Sequence, residues 1–428
     1  MNRVLLLATT TGYQIRSFGE AAEALGVRLV FASDRCDQLE DPWWDQAIPV
    51  RFQDEARSVD AVVAACGHVA PDGIVAVGDR PAVLAAHLAC AFGLPGHPPA
   101  AAAACRNKLA TRQALWAAGL PTPWFDFMPM EGQTERASPR VEFPAVVKPL
   151  ALSGSRGVMR VNNSVELVAA LERLRRLLDA RDVRIEGDEA HGQVLVEGFI
   201  PGAEYAIEGV MTHGALQLLT ICDKPDALDG PFFEETIYRM PSLAPDTVQR
   251  QIGEAVGAAC AALGLHHGPV HAECRVSGDT IYVLEVAARP IGGLCSSALR
   301  FRSKAPNAVE GTSGTVSLEE VLLRHALGEP VTSYVREDTA SGVMMIPIPK
   351  RGVYRSVSGV DEAKRVPCIE DIRITAKADT TLVPLPEGKS YLGFIFARAT
   401  TPGEVDQALR SGHAKLHFAI DREVALTA

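Results

Sequence analysis

Val270-His-Ala-Glu-Cys-Arg275, the turn Ser277-Gly-Asp-Thr280, and Ile281-Tyr-Val-Leu-Glu-Val-Ala-Ala-Arg289 form the stretch on which the reading of this chain turns. Two apolar-rich runs flank a Gly-containing turn, the pattern of a β-hairpin. The period of two along a strand puts His271 and Glu273 on one face of the first run. On the second, Glu285, Ala287 and Arg289 share a face. Carboxylates on adjacent strands repel each other if both are buried and ionised. A divalent cation relieves that repulsion, and Mg²⁺ favours carboxylate oxygens together with phosphate oxygens. Glu273 and Glu285 are therefore candidate metal ligands, and Arg289 suits a transferring phosphoryl group. A solvated surface hairpin is the competing reading of this segment taken alone.

Working outward, Lys148 ends the strand-like run 141–148, and the loop Ser153-Gly-Ser-Arg-Gly157 follows it. A lysine at a strand end beside such a loop is a candidate phosphate ligand. The loop's backbone N–H groups at Ser153, Gly154, Ser155 and Gly157 suit phosphate oxygens. The pattern is not GxxxxGK[ST], and a flexible turn with an exposed lysine competes with it. Further on, the strand Val194–Val196 runs into Glu197-Gly-Phe199-Ile200, an extended segment whose backbone can meet an adenine edge. Glu204 is then a candidate for ribose hydroxyls; an ordinary strand-loop with a solvated glutamate is the alternative. His266, His267, His271, Glu273 and Cys274 match no zinc signature, and Glu273 and Cys274 fall on opposite strand faces, so zinc is set aside. No GxSxG elbow is present for a serine hydrolase.

The 428 residues exceed one hydrophobic core and suggest roughly two to four domains or lobes. With 47% hydrophobic and 22% charged residues, the chain has a globular composition. Its net charge of −10 argues against nucleic-acid binding through a global basic surface. No apolar run approaches the ~18 residues of a membrane span. The run Val4–Ala8 is too short for a signal peptide and reads as a first buried strand. Nine scattered cysteines without a CxxC pair suggest reduced thiols and a cytoplasmic protein.

Residues 1–97 alternate strand-like and helix-like stretches: Val4–Ala8, Ser17–Leu25, Arg28–Ala32, Gly73–Val77 and Pro81–Phe92. This implies βαβ units around a parallel sheet. The first strand is followed by Thr9-Thr-Thr-Gly12 in place of GxGxxG, which disfavours a nicotinamide-binding Rossmann domain. One helix is expected over Ala100–Ala118, stopped by Gly119-Leu-Pro. Helices are also expected over Val165–Leu178, 247–263 and Glu404–Gly412. After Pro330 the chain turns to short strand-like runs rich in Gly and Pro.

The ordered set Asn107-Lys108-x-x-x-Arg112-x-x-Leu115, Pro144-x-x-x-Lys148-Pro, the Ser/Gly loop, Glu197-Gly-Phe-Ile with Glu204, and Glu273 with Leu284-Glu285-Val-x-x-Arg289-Pro resembles the ATP-grasp superfamily, specifically its carboxylate–amine ligases. The resemblance covers nearly the whole chain and is weakest over the last ~90 residues. It implies a mixed α/β and α+β architecture, the ATP-grasp fold with an N-terminal parallel-sheet (pre-ATP-grasp) domain and a small C-terminal α+β domain. The expected division is 1–105, then ATP-grasp lobes over 106–330 (106–195 and 196–330), then 331–428. By the same resemblance Lys108 and Lys148 contact ATP phosphates, Glu197 and the backbone near Phe199 and Ile200 hold adenine, and Glu204 holds ribose. Glu273 and Glu285 bind Mg²⁺, with Mn²⁺ as an alternative ion, and Arg289 steadies the phosphoryl group.

At position 287 many relatives carry Asn, and here Ala287 removes that amide ligand. The Glu-x-Ala-Ala-Arg pattern looks similar to that of the L-amino acid (dipeptide-forming) ligases. The implied activity is ATP-dependent amide formation between a carboxylate, an amino acid above all, and an amine, through an acyl phosphate. For these small-molecule substrates His271, Tyr238, Gly292, Gly293 and Arg300 are candidate contacts. The segment Asp223–Tyr238 reads as a loop lining a pocket. Two alternatives stay open: a bicarbonate-activating carboxylase, and a nucleotide-binding protein without catalysis. No nucleic acid or membrane partner is expected, and a homodimer is compatible with the resemblance.

Overall fold

A computed structural model describes residues 1–10, 12–34, 47–130, 141–304 and 314–422. Thr11 and Cys36, both part of the sequence reading, lie outside the described residues. The first strand, Arg3–Ala8, pairs in parallel with Arg28–Ser33 on one side and Gly73–Val77 on the other, and Ile48–Pro49 completes the sheet. Leu5, Leu6 and Leu7 are all fully buried, as expected of a parallel strand covered on both faces. At the carboxyl end of Gly73–Val77 the chain turns through Gly78, at φ 103, into the helix Asp79–Phe92. That end of a parallel sheet is where open α/β folds form ligand clefts, and Asp79 emerges there.

The single helix expected over 100–118 is two, Pro99–Arg106 and Lys108–Ala117. Asn107 is extended (φ −107, ψ 109), and its side-chain oxygen accepts from the N–H groups of Leu109 and Ala110. It is an N-cap, so the break follows from side-chain competition for backbone donors. The break makes Lys108 the first residue of the second helix, where its own N–H donates to Leu150 O.

The first lobe is an antiparallel sheet in the order Phe125–Pro129, Gln193–Gly198, Ala145–Pro149, Met159–Val161, covered by the helix Ser164–Leu178. Its core, with Val147, Leu171, Leu174 and Val196, is separate from the others. The eight-stranded sheet runs Thr280–Ala287, Gly268–Ser277, Ala203–Thr212, Ala215–Lys224, Ile237–Met240, Ala340–Ile346, Gly393–Ala399, Ile369–Ile374. The last segment, expected as a separate small α+β portion, thus adds three strands to the sheet of the second lobe. Gly352–Ser358, Thr381–Leu382 and His417–Asp421 form a small sheet beside it.

Two apolar clusters tie the N-terminal unit to this large sheet. One joins Val4, Leu6 and Phe18 to Val210, Phe301 and Phe394, and the other joins Ala101, Cys105 and Leu115 to Val256, Val270 and Val286. The eight described cysteines are free. Among the described residues no helix is long and apolar enough to cross a membrane.

Candidate active site

The N-terminal unit, the first lobe, the large sheet and the segment Lys389–Tyr391 meet around a cavity of about 460 Å³. Of the residues singled out in the sequence, Lys108, Lys148, Ser153, Gly154, Ser155, Glu197, Phe199, Ile200, Glu204, Tyr238, His271, Glu273, Glu285, Arg289, Gly292 and Gly293 line it. Gly157 and Arg300 are not among its lining residues. Gly157 sits at φ +77, its N–H donates to Pro386 O, and a Cβ there would meet Leu174, so it shapes the loop rather than its lining. Arg300, expected beside a substrate carboxylate, pairs here with Glu370 near the surface.

The hairpin is Gly268–Ser277 with Thr280–Ala287. Glu273 stands opposite Glu285, and His271 opposite Ala287, with a bulge between Glu273 and Cys274. The period-two reading therefore brings both carboxylates together. Ala287 is buried and does not reach the cavity.

Lys224, at the end of its strand, places its ammonium 2.8 Å from Glu204 and 3.3 Å from Glu273, and also binds Glu235. The lysine is almost wholly buried, yet its pKa is raised well above the usual value: burial opposes the charge, and the carboxylates of Glu204 and Glu235 outweigh it. Burial, and then the neighbouring Glu273, push the Glu235 carboxyl up, and Tyr238 donates to it at 2.8 Å. Glu273 is held low: burial opposes its charge, but Lys224 and a hydrogen bond with His271 prevail. His271 lies between Glu208 and Glu273; burial disfavours its charge, but the Glu208 carboxylate raises it to about 9.

Oxygens of Glu204, Glu235 and Glu273 lie within 4.8 Å of one another. With Glu285 opposite Glu273, the donors are all carboxylate oxygens, the hard set that suits Mg²⁺ and admits Mn²⁺. By donor chemistry the residues present suit a divalent ion at Glu273, with Glu285 opposite it on the next strand, and the Lys224 ammonium is its neighbour among these carboxylates. Glu204, expected to accept from ribose hydroxyls, lines the cavity with one oxygen on the Lys224 ammonium and the other on the Arg275 guanidinium at 2.7 Å.

Glu197 also departs from expectation. Its carboxylate is 2% exposed and takes Arg112 on both oxygens, at 2.8 and 3.2 Å, with Lys148 at 2.5 Å. Burial would raise its pKa, but Arg112 and Lys148 hold it at about 2. The side chain is thus an internal anchor that fixes Lys148, and only the backbone beyond it remains for an adenine edge. Beside that backbone the Arg275 guanidinium lies 5.2 Å from the Phe199 ring centre, and Phe199 stacks on Phe233. Lys108 donates to Leu152 O at 2.6 Å and lies 3.8 Å from Glu285.

Arg289 reaches back to the N-terminal unit: its Nε donates to Asp79 at 2.7 Å. Burial opposes the charge of both groups, yet their attraction lowers Asp79 and raises Arg289. Asp79, Lys224, Glu235, Glu208 and Tyr391 were not assigned roles from the sequence. Lys224 and Glu235 lie in the segment Asp223–Tyr238 read as a pocket loop, so its acidic and basic residues were the available signal.

Family descriptions match three stretches: an ATP-grasp N-terminal domain over residues 19–96, an ATP-grasp domain over 141–298, and an L-amino acid ligase C-terminal domain 2 over 344–421. The fold is similar to the crystal structure of an L-amino acid ligase from Bacillus licheniformis, with a TM-score of 0.81 and 26% identity over 99% of both chains. Carnosine synthase 1 of Gallus gallus is 31% identical over 68% of this chain and 32% of its own length. A D-alanine–D-alanine ligase of Pseudomonas putida is 30% identical over 41% of this chain and 52% of its own. The chain thus spans about a third and about half, respectively, of those two relatives.

Proposed function

The chain belongs to the ATP-grasp superfamily of ligases, and on that premise we propose that it joins the carboxylate of an amino acid to an amine, consuming ATP. In the proposed reaction a carboxylate oxygen attacks the γ-phosphorus and ADP leaves with the bridging oxygen. The amine nitrogen then attacks the acyl carbon, phosphate leaves, and the amine loses a proton. The observation that carries the reading is the paired Glu273 and Glu285 beside Arg289, facing the same cavity as Lys108 and Lys148.

Lys108 and Lys148 would contact the phosphates, the loop at Ser153–Ser155 would cover them, and the backbone from Gly198 to Ile200 would meet adenine. Glu273 and Glu285 would hold Mg²⁺, which supplies charge neutralisation at the β- and γ-phosphates. Arg289, held by Asp79, would meet the charge growing on the transferred group. Lys224, with Arg275 on Glu204, offsets part of the negative charge on the floor of the cavity, which eases the approach of an anionic substrate. The separate core of the first lobe supports its closing over the cavity, which would keep water from an acyl phosphate.

Oxygen tracing tests this sequence of steps. With a substrate carboxylate labelled by ¹⁸O, one labelled oxygen should appear in the released phosphate. Phosphate free of label, alongside amide product, would remove the acyl phosphate.

A further inference from the structure

The Ser/Gly loop over the cavity is gripped from the far end of the chain. The Gly157 N–H donates to Pro386 O at 2.7 Å. Its neighbour Arg156 is buried; Nε donates to the Glu387 carbonyl at 2.8 Å, and a terminal nitrogen lies 2.9 Å from Asp182. The Glu387 carboxylate turns to the helix Ser164–Leu178 of the first lobe, where Arg173 donates to both of its oxygens, one of them at 2.9 Å. Lys389 lies 3.5 Å from Asp182 and lines the cavity with Ser390 and Tyr391. We propose that Glu387 is a positioning residue: through Arg173 and the turn 384–388 it holds the Ser153–Gly157 loop where that loop covers the nucleotide phosphates. This role presupposes the ATP site proposed above.

The loop needs such a hold. Gly154, Ser155 and Gly157 sit at φ +64, +55 and +77, and Ser155 lacks the freedom of glycine there. Strained backbone of this kind persists where its surroundings over-determine it. Within the loop, Arg156 N–H reaches Ser153 O at 3.4 Å and Val158 N–H reaches Ser155 O at 3.1 Å. The bonds to Pro386 and Glu387 are the shorter ones, so the outside contacts fix the shape.

The turn that supplies them is itself stiff. Pro384 and Pro386 have fixed φ, the Gly388 N–H donates to Pro384 O at 2.9 Å, and a Cβ at Gly388 would collide with Val383 O. Just beyond it, Gly393–Ala399 is a strand of the large sheet. The first lobe has its own core, so a turn anchored on the large sheet sets where the loop of that lobe stands.

Side chains of Arg173 and Glu387 are 39% and 34% exposed, so their pair adds little to global stability. The lobe also meets the turn 229–232, where the Arg160 N–H donates to Pro231 O at 2.9 Å. Loss of the Glu387 carboxylate therefore loosens the loop without releasing the lobe.

The test uses the full chain as parent, Glu387→Ala, and the charge exchange Arg173→Glu/Glu387→Arg. Mg²⁺AMP-PNP is titrated by calorimetry, and hydrogen exchange is followed at the amides of 153–158 in the free proteins. Glu387→Ala should bind the nucleotide about three- to tenfold more weakly and exchange those amides faster, and the charge exchange should restore most of both. With a working substrate pair, KM for ATP should rise in step while kcat stays within about twofold. Parent-like affinity or parent-like exchange in Glu387→Ala overturns the role of Glu387 and leaves the ATP reading standing. A charge-exchanged chain as weak as Glu387→Ala overturns it too, since the carboxylate would then not act through Arg173. A parent that binds no nucleotide overturns the ATP reading and this role together.

Discussion

The Arg289 guanidinium donates to Asp79 at 2.7 Å, so the residue proposed to meet the transferred phosphoryl group is held by a carboxylate from a different structural unit, at the start of the helix Asp79–Phe92. A hydrogen bond between charged groups contributes ~1.5–3 kcal/mol, or about 10–100-fold in rate when it orients a catalytic group. Asp79→Asn should therefore lower kcat by about that factor and leave KM for ATP within about threefold. Steady-state kinetics with a working substrate pair measure both, and a rise in KM alone would count against positioning of Arg289.

Glu197 gives a pH signature. Its carboxyl is held at about 2 in the folded chain against an ordinary ~4.3 when unfolded. A depressed carboxyl stabilises above the unfolded pKa, and that contribution fades as pH falls from about 4.3 through about 2. Acid unfolding of the parent should show this loss, while Glu197→Gln should be less stable at pH 7 by about 3–5 kcal/mol, because Arg112 and Lys148 lose their partner. Denaturant melts at pH 7 and pH 3 measure it: the gap between parent and variant should narrow at the lower pH.

Lys224 is the ammonium shared by Glu204, Glu235 and Glu273, so its loss should make folding depend on a cation. Lys224→Met should lower the melting temperature, and added Mg²⁺ should raise it more in the variant than in the parent. Equal Mg²⁺ shifts in the two proteins would show that the ion and the ammonium do not share these carboxylates.

Arg300 serves as the contrast. It is partly exposed and paired with Glu370, and a surface pair is worth about 0–1 kcal/mol. Arg300→Ala should leave kcat/KM within about twofold. A large loss would return it to the substrate site.

The hairpin was legible because a period of two, a Gly turn and two glutamates leave few alternatives, and Glu273 does stand opposite Glu285. The parallel strands Arg3–Ala8 and Gly73–Val77 were legible for the same reason: continuous apolar runs between breakers. The break at Asn107 was hidden by alanine-rich flanks, although Asn is itself a favoured N-cap residue. Asp79 could not be assigned, because its partner Arg289 lies 210 residues away and no local pattern encodes such a pairing; Lys224 meets Glu235 only 11 residues on, but that pairing needs the strand and the loop after it to fold back together. The ion pairing of the Glu197 side chain was hidden for a related reason: its neighbour Arg112 arrives from a helix 85 residues earlier.

The most direct measurement is release of ADP and phosphate from the purified chain with Mg²⁺ATP, across a matrix of amino acids, other carboxylic acids, amines and bicarbonate. Release that requires a carboxylate together with an amine, with the matching amide mass in the product, is the expected result. Release driven by bicarbonate with no amino acid present would contradict the amide-forming reading and favour carboxylation.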